Sequence, residues 1–198
     1  MNYILAIEDG KLPSKRPKRG EKALLIGVKM KKNRIEAIYC KSIEVDGLDV
    51  TEAAMKIISN AKPIDIILLG GISYAGFNII DAVKIWEETR IPIIIISKEK
   101  PDNKSILSAL KKHFEDWEVR WEKIKRVLAK SKGIHEVYLK SEKNPIYIEN
   151  IGIKREAAGK ILRENTIWGR IPEPIRVANI IAKNISTTFY ALKNKNPT

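Results

Sequence analysis

Cysteine is nearly absent from this chain: Cys40 is the only one in 198 residues. An intrachain disulfide and a cysteine-based zinc cluster are therefore both excluded. Within Ala37-Ile38-Tyr39-Cys40 the thiol reads as a small core residue. Histidine is almost as scarce, and His113 and His135 stand too far apart in sequence for ligand spacing, so both read as ordinary side chains. No uninterrupted apolar run reaches the length of a bilayer crossing, and the start lacks a charged segment followed by an apolar stretch and a cleavage site. These gaps imply a soluble, cytoplasmic protein without a membrane partner.

Positive charge is what the chain has in excess. Thirty-seven Lys and Arg face 24 Asp and Glu, a formal net charge of +13. Such an excess lowers the cost of approaching a polyanion and makes nucleic acid, DNA or RNA, the leading partner class. A solvated surface or a thermophile's composition is the competing explanation, and charge alone carries no base specificity. With 44% hydrophobic residues and no long polar linker, residues 1–198 are expected to form a single domain. A basic loop is expected at 10–21 and a frayed tail at about 191–198.

Hydrophobic periodicity gives the order of elements. Residues 3–8, 22–30 and 33–45 read as strands, the last two joined by a hairpin at Lys31-Lys32-Asn33. Thr51 to Asn60 reads as a helix, with Asp49 and Glu52 spaced as a capping box. Asp65-Ile66-Ile67-Leu68-Leu69 and Ile91-Pro92-Ile93-Ile94-Ile95-Ile96 have the composition of buried strands, and Asn78 to Thr89 between them reads as helix, which implies a parallel crossover. Further helices are expected at Asp102–Phe114, Trp117–Lys130, Lys154–Asn165 and Glu173–Ile185, with short strands at Ile134–Leu139 and Ile146–Ile148. An antiparallel three-strand start followed by parallel strands is a mixed α/β sheet with helices packed on it.

The first strand ends in Glu8-Asp9-Gly10 and opens into a loop carrying Lys11, Lys15, Arg16, Lys18 and Arg19. Carboxylates at a strand end suit Mg²⁺ or Mn²⁺, hard cations that assist phosphodiester displacement, and Lys15, Arg16, Lys18 and Arg19 suit phosphates. Adjacent strand residues point to opposite faces, so a regular strand offers at most one of Glu8 and Asp9 as a direct ligand. The loop reads equally as an arm disordered without its partner. Asp46, Asp49 and Glu52 form a second acidic segment that either approaches the first or builds a turn and a helix start. The loop from Gly70 to Asn78 either takes a ligand, with Tyr74 or Phe77 stacking on a base, or is a tight turn with Asn78 capping the next helix. Lys98 either meets a phosphate or is an exposed loop lysine.

Four segments together resemble one family: Ile7-Glu8-Asp9-Gly10, Val45 to Glu52, Gly71 to Asn78, and Gly169-Arg170-Ile171-Pro172-Glu173-Pro174-Ile175-Arg176-Val177-Ala178. The family is the archaeal domain of unknown function 99, and the likeness runs over nearly the whole chain. That family is distantly similar to endonuclease V, which implies a ribonuclease H-like fold and Mg²⁺-dependent cutting near deaminated purines. By this resemblance Glu8 takes the place of the first-strand aspartate, with Asp9 beside it, where relatives more often carry two aspartates. Glu52, or Asp49, falls near the glutamate of the first helix, and Lys98 matches the lysine ending a later strand. Pro172 and Pro174 position the last helix. The departures are the Gly70-Gly71 pair where an aspartate is expected, Ile151-Gly152-Ile153 where a histidine is expected, and no counterpart at Val45-Asp46-Gly47 of the tyrosine-bearing wedge. A shifted site built from Glu8, Asp9, Asp46 and Asp49, with Asp81 more remote, is one resolution.

Three functions follow as expectations. The first is a divergent metal-dependent nuclease for damaged or modified nucleic acid, with Glu8, Asp9, Asp49 and Lys98 catalytic. The second is a non-catalytic nucleic-acid binder, and the third a nucleotide or small-molecule protein using the Gly70 to Asn78 loop. Oligomeric state is not set by the sequence.

Overall fold

The computed structural model describes residues 3–139 and 143–195. It begins with an antiparallel meander of β1 (Tyr3–Asp9), β2 (Lys22–Lys31) and β3 (Arg34–Glu44). The expected hairpin closes on Lys32 and Asn33, with Lys31 facing Arg34 and Lys32 at φ 52°. Next come α1 (Val50–Ala61), β4 (Ile66–Leu69), a small ribbon of β5 (Ser73–Tyr74) and β6 (Asn78–Ile79), α2 (Ala82–Thr89) and β7 (Ile93–Ser97). The chain continues through α3 (Asn103–His113), α4 (Trp117–Ser131), β8 (His135–Val137), β9 (Ile146–Ile151), α5 (Arg155–Glu164) and α6 (Glu173–Lys195).

Seven strands form one mixed sheet in the order β3-β2-β1-β4-β7-β9-β8. β1, β4 and β7 are parallel, and the pairs toward both edges are antiparallel. β4 and β7 are uninterrupted apolar runs because helices cover both of their faces. One core joins Leu5, Ile7, Ile67, Leu69, Ile93 and Ile95 to α1, α2 and α4. The other joins Ile4, Ala6, Ile66, Leu68, Ile94 and Ile96 to α5 and α6 through Ala158, Leu162, Ala178 and Ala182. Alternation along each strand thus divides its side chains between two helical layers.

Several expectations change. The helix read from Asn78 starts at Ala82, because Asp81 takes the N-cap and accepts from the Lys84 amide at 2.9 Å. Asn78 remains in the ribbon and bonds elsewhere. Cys40 is exposed, since α1 covers only the opposite face of edge strand β3. The tail expected to fray from about 191 is helical through Lys195, and residues 196–198 lie outside the described ones. Among the described residues no helix is long and apolar enough to cross a membrane.

Candidate active site

Strand register builds the site. Ile7 pairs with Leu69 and Leu69 with Ile95, so β1, β4 and β7 end along one edge of the sheet. That edge carries Glu8 and Asp9 from β1, Gly70 after β4, and Lys98 after β7. The start of α6 crosses the same edge with Asn179 and Lys183. Ala178 and Ala182, both fully buried, let that helix approach closely, and the polar pair one residue further on meets the carboxylates.

Glu8 is 8% exposed. Burial, and then the neighbouring charge of Asp9, push its carboxyl up to about 8 from an ordinary 4.5. A hydrogen bond from the Asn179 side chain and the charges of Lys183 and Lys98 oppose this rise. Burial also raises Asp9, whose Oδ2 accepts from the Ala75 amide at 2.6 Å while Lys183 lowers it. The two carboxyls therefore repel each other in a poorly hydrated place, with two ammonium groups close by. A cation or a proton relieves that arrangement.

Gly70 explains one departure from the family pattern. A Cβ at that position would lie 2.0 Å from Glu8 Oε1 and 2.2 Å from its carboxyl carbon. The longer Glu8 side chain thus occupies the space that a side chain just after β4 would need, and a larger residue there would have to displace its carboxylate.

Asp46, Asp49 and Glu52, expected as metal ligands, form no metal-holding group of three or more with Glu8 and Asp9 among the described residues. Asp46 accepts from the Phe77 amide at 2.8 Å, and a Cβ on Gly76 would lie 2.2 Å from the same oxygen. Asp49 occupies the N-cap position of α1, yet its carboxylate caps nothing. It accepts instead from the Glu44 amide at 3.1 Å and Asn78 Nδ2 at 2.7 Å, and Asn78 Oδ1 receives the Val50 amide at 3.2 Å. The cap of α1 therefore comes from a residue far along the chain. Arg120, fully buried, donates to the carbonyls of Asp46, Gly47 and Phe77 and to both carboxylate oxygens of Asp116. Glu52 is exposed in a groove with Met55, Lys84 and Glu88.

Neither aromatic of the Gly70–Asn78 loop offers an open ring. Tyr74 is 1% exposed and donates to the Ile7 carbonyl at 3.4 Å. Phe77 is half-buried in a satellite core and meets Phe114 at 5.4 Å between centroids. The hairpin turns both inward, which corrects the stacking role read for them. In the basic loop Lys15, Arg16 and Lys18 are exposed, whereas Arg19 pairs with Asp116 at 3.2 Å and lies over Phe114. The loop is anchored to the third strand's exit by Gly20 and Glu21, which bond to Val45.

Sequence reasoning missed Asn179, Lys183 and Arg120. The first two were legible only as a polar i, i+4 pair beside two alanines on the last helix. Arg120 sat in a mixed-charge helix with no distinguishing signal. Among the described residues no group of three or more His, Cys, Asp and Glu is placed to hold a metal ion.

The comparisons agree with this architecture. Residues 2–186 match the family model described as endonuclease dU. A UPF0215 protein of Pyrococcus furiosus is 40% identical over 186 residues, covering 92% of this chain and 91% of its own. Among solved structures, a protein of unknown function from Archaeoglobus fulgidus superposes with a TM-score of 0.78 at 26% identity, over 93% of this chain and 98% of that one. Ciona intestinalis endonuclease V, solved with DNA containing an inosine followed by a ribo-adenosine, superposes with a TM-score of 0.62 at 16% identity, over 95% of this chain and 86% of that one. That likeness identifies the fold as ribonuclease H-like. With the family model spanning nearly all of the sequence, the chain belongs to the endonuclease dU family.

Proposed function

We propose that this protein is a nucleic-acid-binding, divalent-metal-dependent nuclease whose site is Glu8 and Asp9 flanked by Lys98 and Lys183. The observation that carries the reading is that strand register brings the ends of β1, β4 and β7 to one sheet edge, where buried Glu8 and neighbouring Asp9 stand with Lys98 and Lys183; the raised carboxyls support it. Groups perturbed in this way by burial and a like charge mark functional sites. The net charge of +13 and the DNA-bound endonuclease V neighbour support nucleic acid as the substrate class. The family description and the inosine in that neighbour's DNA support an altered base as the target.

Two carboxylates fit Mg²⁺ or Mn²⁺ better than a softer metal. Mg²⁺ is commonly held by one or two carboxylates, with water and substrate phosphate completing its shell. The unbroken register of β1 turns Glu8 toward Asn179 and Asp9 toward Ala75, so one of the two would hold it directly with the other beside it, and it would supply charge neutralisation at the scissile phosphate. Lys98 and Lys183 attract and orient that phosphate and offset the negative charge that builds up on it. Asn179 fixes the Glu8 carboxylate by its hydrogen bond, and Ala75 fixes that of Asp9. Tyr74, buried beneath both, excludes water from the inner side.

A panel of end-labelled DNA and RNA carrying inosine, uracil or a mismatch, incubated with Mg²⁺ or Mn²⁺, tests the reading. Cleavage by wild type and its loss in Glu8→Gln/Asp9→Asn are expected; no cleavage anywhere on the panel sinks it. A second reading is favoured by Gly70, which leaves the site without a third carboxylate. On that reading the protein binds nucleic acid without cutting, and wild type and the double variant bind the panel alike without cleavage.

A further inference from the structure

Tryptophan separates into two classes in this chain. Trp86 is half-buried against Arg90 and Lys130, Trp117 lies beside Lys111, and Trp121 packs on the satellite core of Leu110, Phe114 and Ile124. Trp168 is 79% exposed, more than any other large hydrophobic residue among those described. Its indole covers almost nothing of its own chain.

The segment presenting it is nevertheless held firmly. The Glu173 amide bonds to the Asn165 carbonyl at 2.7 Å and closes the base of the α5–α6 loop. Thr166, 1% exposed, donates to the Leu162 carbonyl at 2.7 Å, and Ile171 packs on the core shared with α6. Gly169 turns the chain at φ 66° directly after the tryptophan. An anchored loop displaying one large aromatic loses little entropy when that aromatic is covered.

Its position is set by Arg170, which pairs with Glu99 at 2.7 Å and donates to the Pro145 carbonyl at 3.3 Å. Glu99 follows Lys98, whose charge acts on Glu8, and Pro145 precedes the end of β9 that pairs with the exit of β7. The Trp168 loop thus rises at the same sheet edge as the carboxylates, on the β7–β9 side. The basic loop rises on the β2 side. Carboxylates and ammonium groups lie between an aromatic loop and a basic one.

We infer that Trp168 is a stacking platform for an unpaired or extruded base of the nucleic acid whose phosphates meet Lys98 and Lys183. Tyr74 and Phe77 are turned into the core, so the ring that meets a base comes from the opposite wall of the site. An indole face stacks on every base, whereas lysines track the phosphates, and together they suit a single strand or a locally opened duplex. This rests on the proposed nucleic-acid function and adds the element that senses the base.

The test is binding of a short single-stranded DNA carrying one 2-aminopurine, in EDTA so that cleavage does not intervene, with wild type, Trp168→Ala and Trp168→Phe. Wild type is expected to quench the probe as the base stacks. Trp168→Ala is expected to weaken binding about tenfold, equivalent to about 1.4 kcal/mol, and to lose most of the quenching. Trp168→Phe is expected to recover much of both, with an unchanged salt slope in all three, because stacking releases no counterions. Trp168→Ala binding within about twofold of wild type, with quenching intact, overturns the inference and leaves the nucleic-acid reading standing. Failure of wild type itself to bind overturns that reading and this one with it.

Discussion

Two acidic segments lie on either side of the Ala75 backbone, whose amide bonds to Asp9 and whose carbonyl accepts from Asp46. Their circumstances are opposite. Asp46 and Asp49 are satisfied by main-chain amides and Asn78, and Arg120 holds the carbonyls around them. Glu8, buried, and Asp9, half-buried, take hydrogen bonds from Asn179 and the Ala75 amide, yet desolvation, joined for Glu8 by the charge of Asp9, makes their charged forms costly. Carboxylates tied into turns stabilise the fold, while those desolvated at a strand end beside ammonium groups are candidates for a ligand. Two acidic segments that the sequence both offered as metal ligands thus divide into a stitched turn and a desolvated strand end.

The contrast breaks most sharply under substitution. Glu8→Gln/Asp9→Asn is expected to lower the rate of cleavage by about a thousandfold or more while the protein stays folded, as measured by single-turnover kinetics beside circular dichroism. Arg120→Leu is expected to do the reverse. It leaves three carbonyls without their donor and Asp116 with Arg19 alone, and urea unfolding should show a loss of about 3–5 kcal/mol. A fully stable Arg120→Leu protein counts against the stitched-turn reading.

A pH series sharpens the comparison next. The folded-state value of Glu8, about 8, lies above its ordinary 4.5. Between these values the native state holds the proton that the unfolded state has lost. Stability from this group is thus complete below 4.5 and lost as pH rises through 8, by a few kcal/mol at most. Glu8→Gln should flatten that decline in chemical denaturation, although Glu149, raised by burial to about 7, retains a smaller one. Mn²⁺ affinity, read by calorimetry, should rise over the same interval as the carboxyls give up their protons.

Smaller effects follow. Asp49→Ala leaves the Glu44 amide and one Asn78 proton unpaired and should cost about 1–3 kcal/mol in urea unfolding, with oligonucleotide affinity kept. Reversing Lys15, Arg16 and Lys18 to glutamate should leave stability within about 0.5 kcal/mol. It should also weaken binding most at low salt and reduce the slope of log K against log salt by about one for each phosphate no longer neutralised. Arg19 is left out of that set because its pairing with Asp116 and its place over Phe114 tie it to the folded core.

How far the sequence carried depends on the range of the interaction. Apolar runs located β1, β2, β4 and β7, and a looser apolar pattern located β3. The start of α2 was misread because Asn78 looks like a cap in isolation and Asp81 does too. The choice between them was made by Val50 and Asp49, which claim Asn78 from another element. Glu8 and Lys98 were legible from the family resemblance, whereas Lys183 and Asn179 were hidden on a helix whose polar face looked like any solvated one.

By itself the sequence determined the order of strands and helices, the basic excess and family membership, since periodicity, composition and contiguous motifs are written along the chain. Tertiary structure alone decided which carboxylates were tied into turns and which were desolvated at the end of β1. It also gave the space beside Gly70 to Glu8, turned Tyr74 inward and left Trp168 outside. Those outcomes depend on burial and on which element ends converge, and both arise only when residues distant in the chain meet at one edge of the sheet.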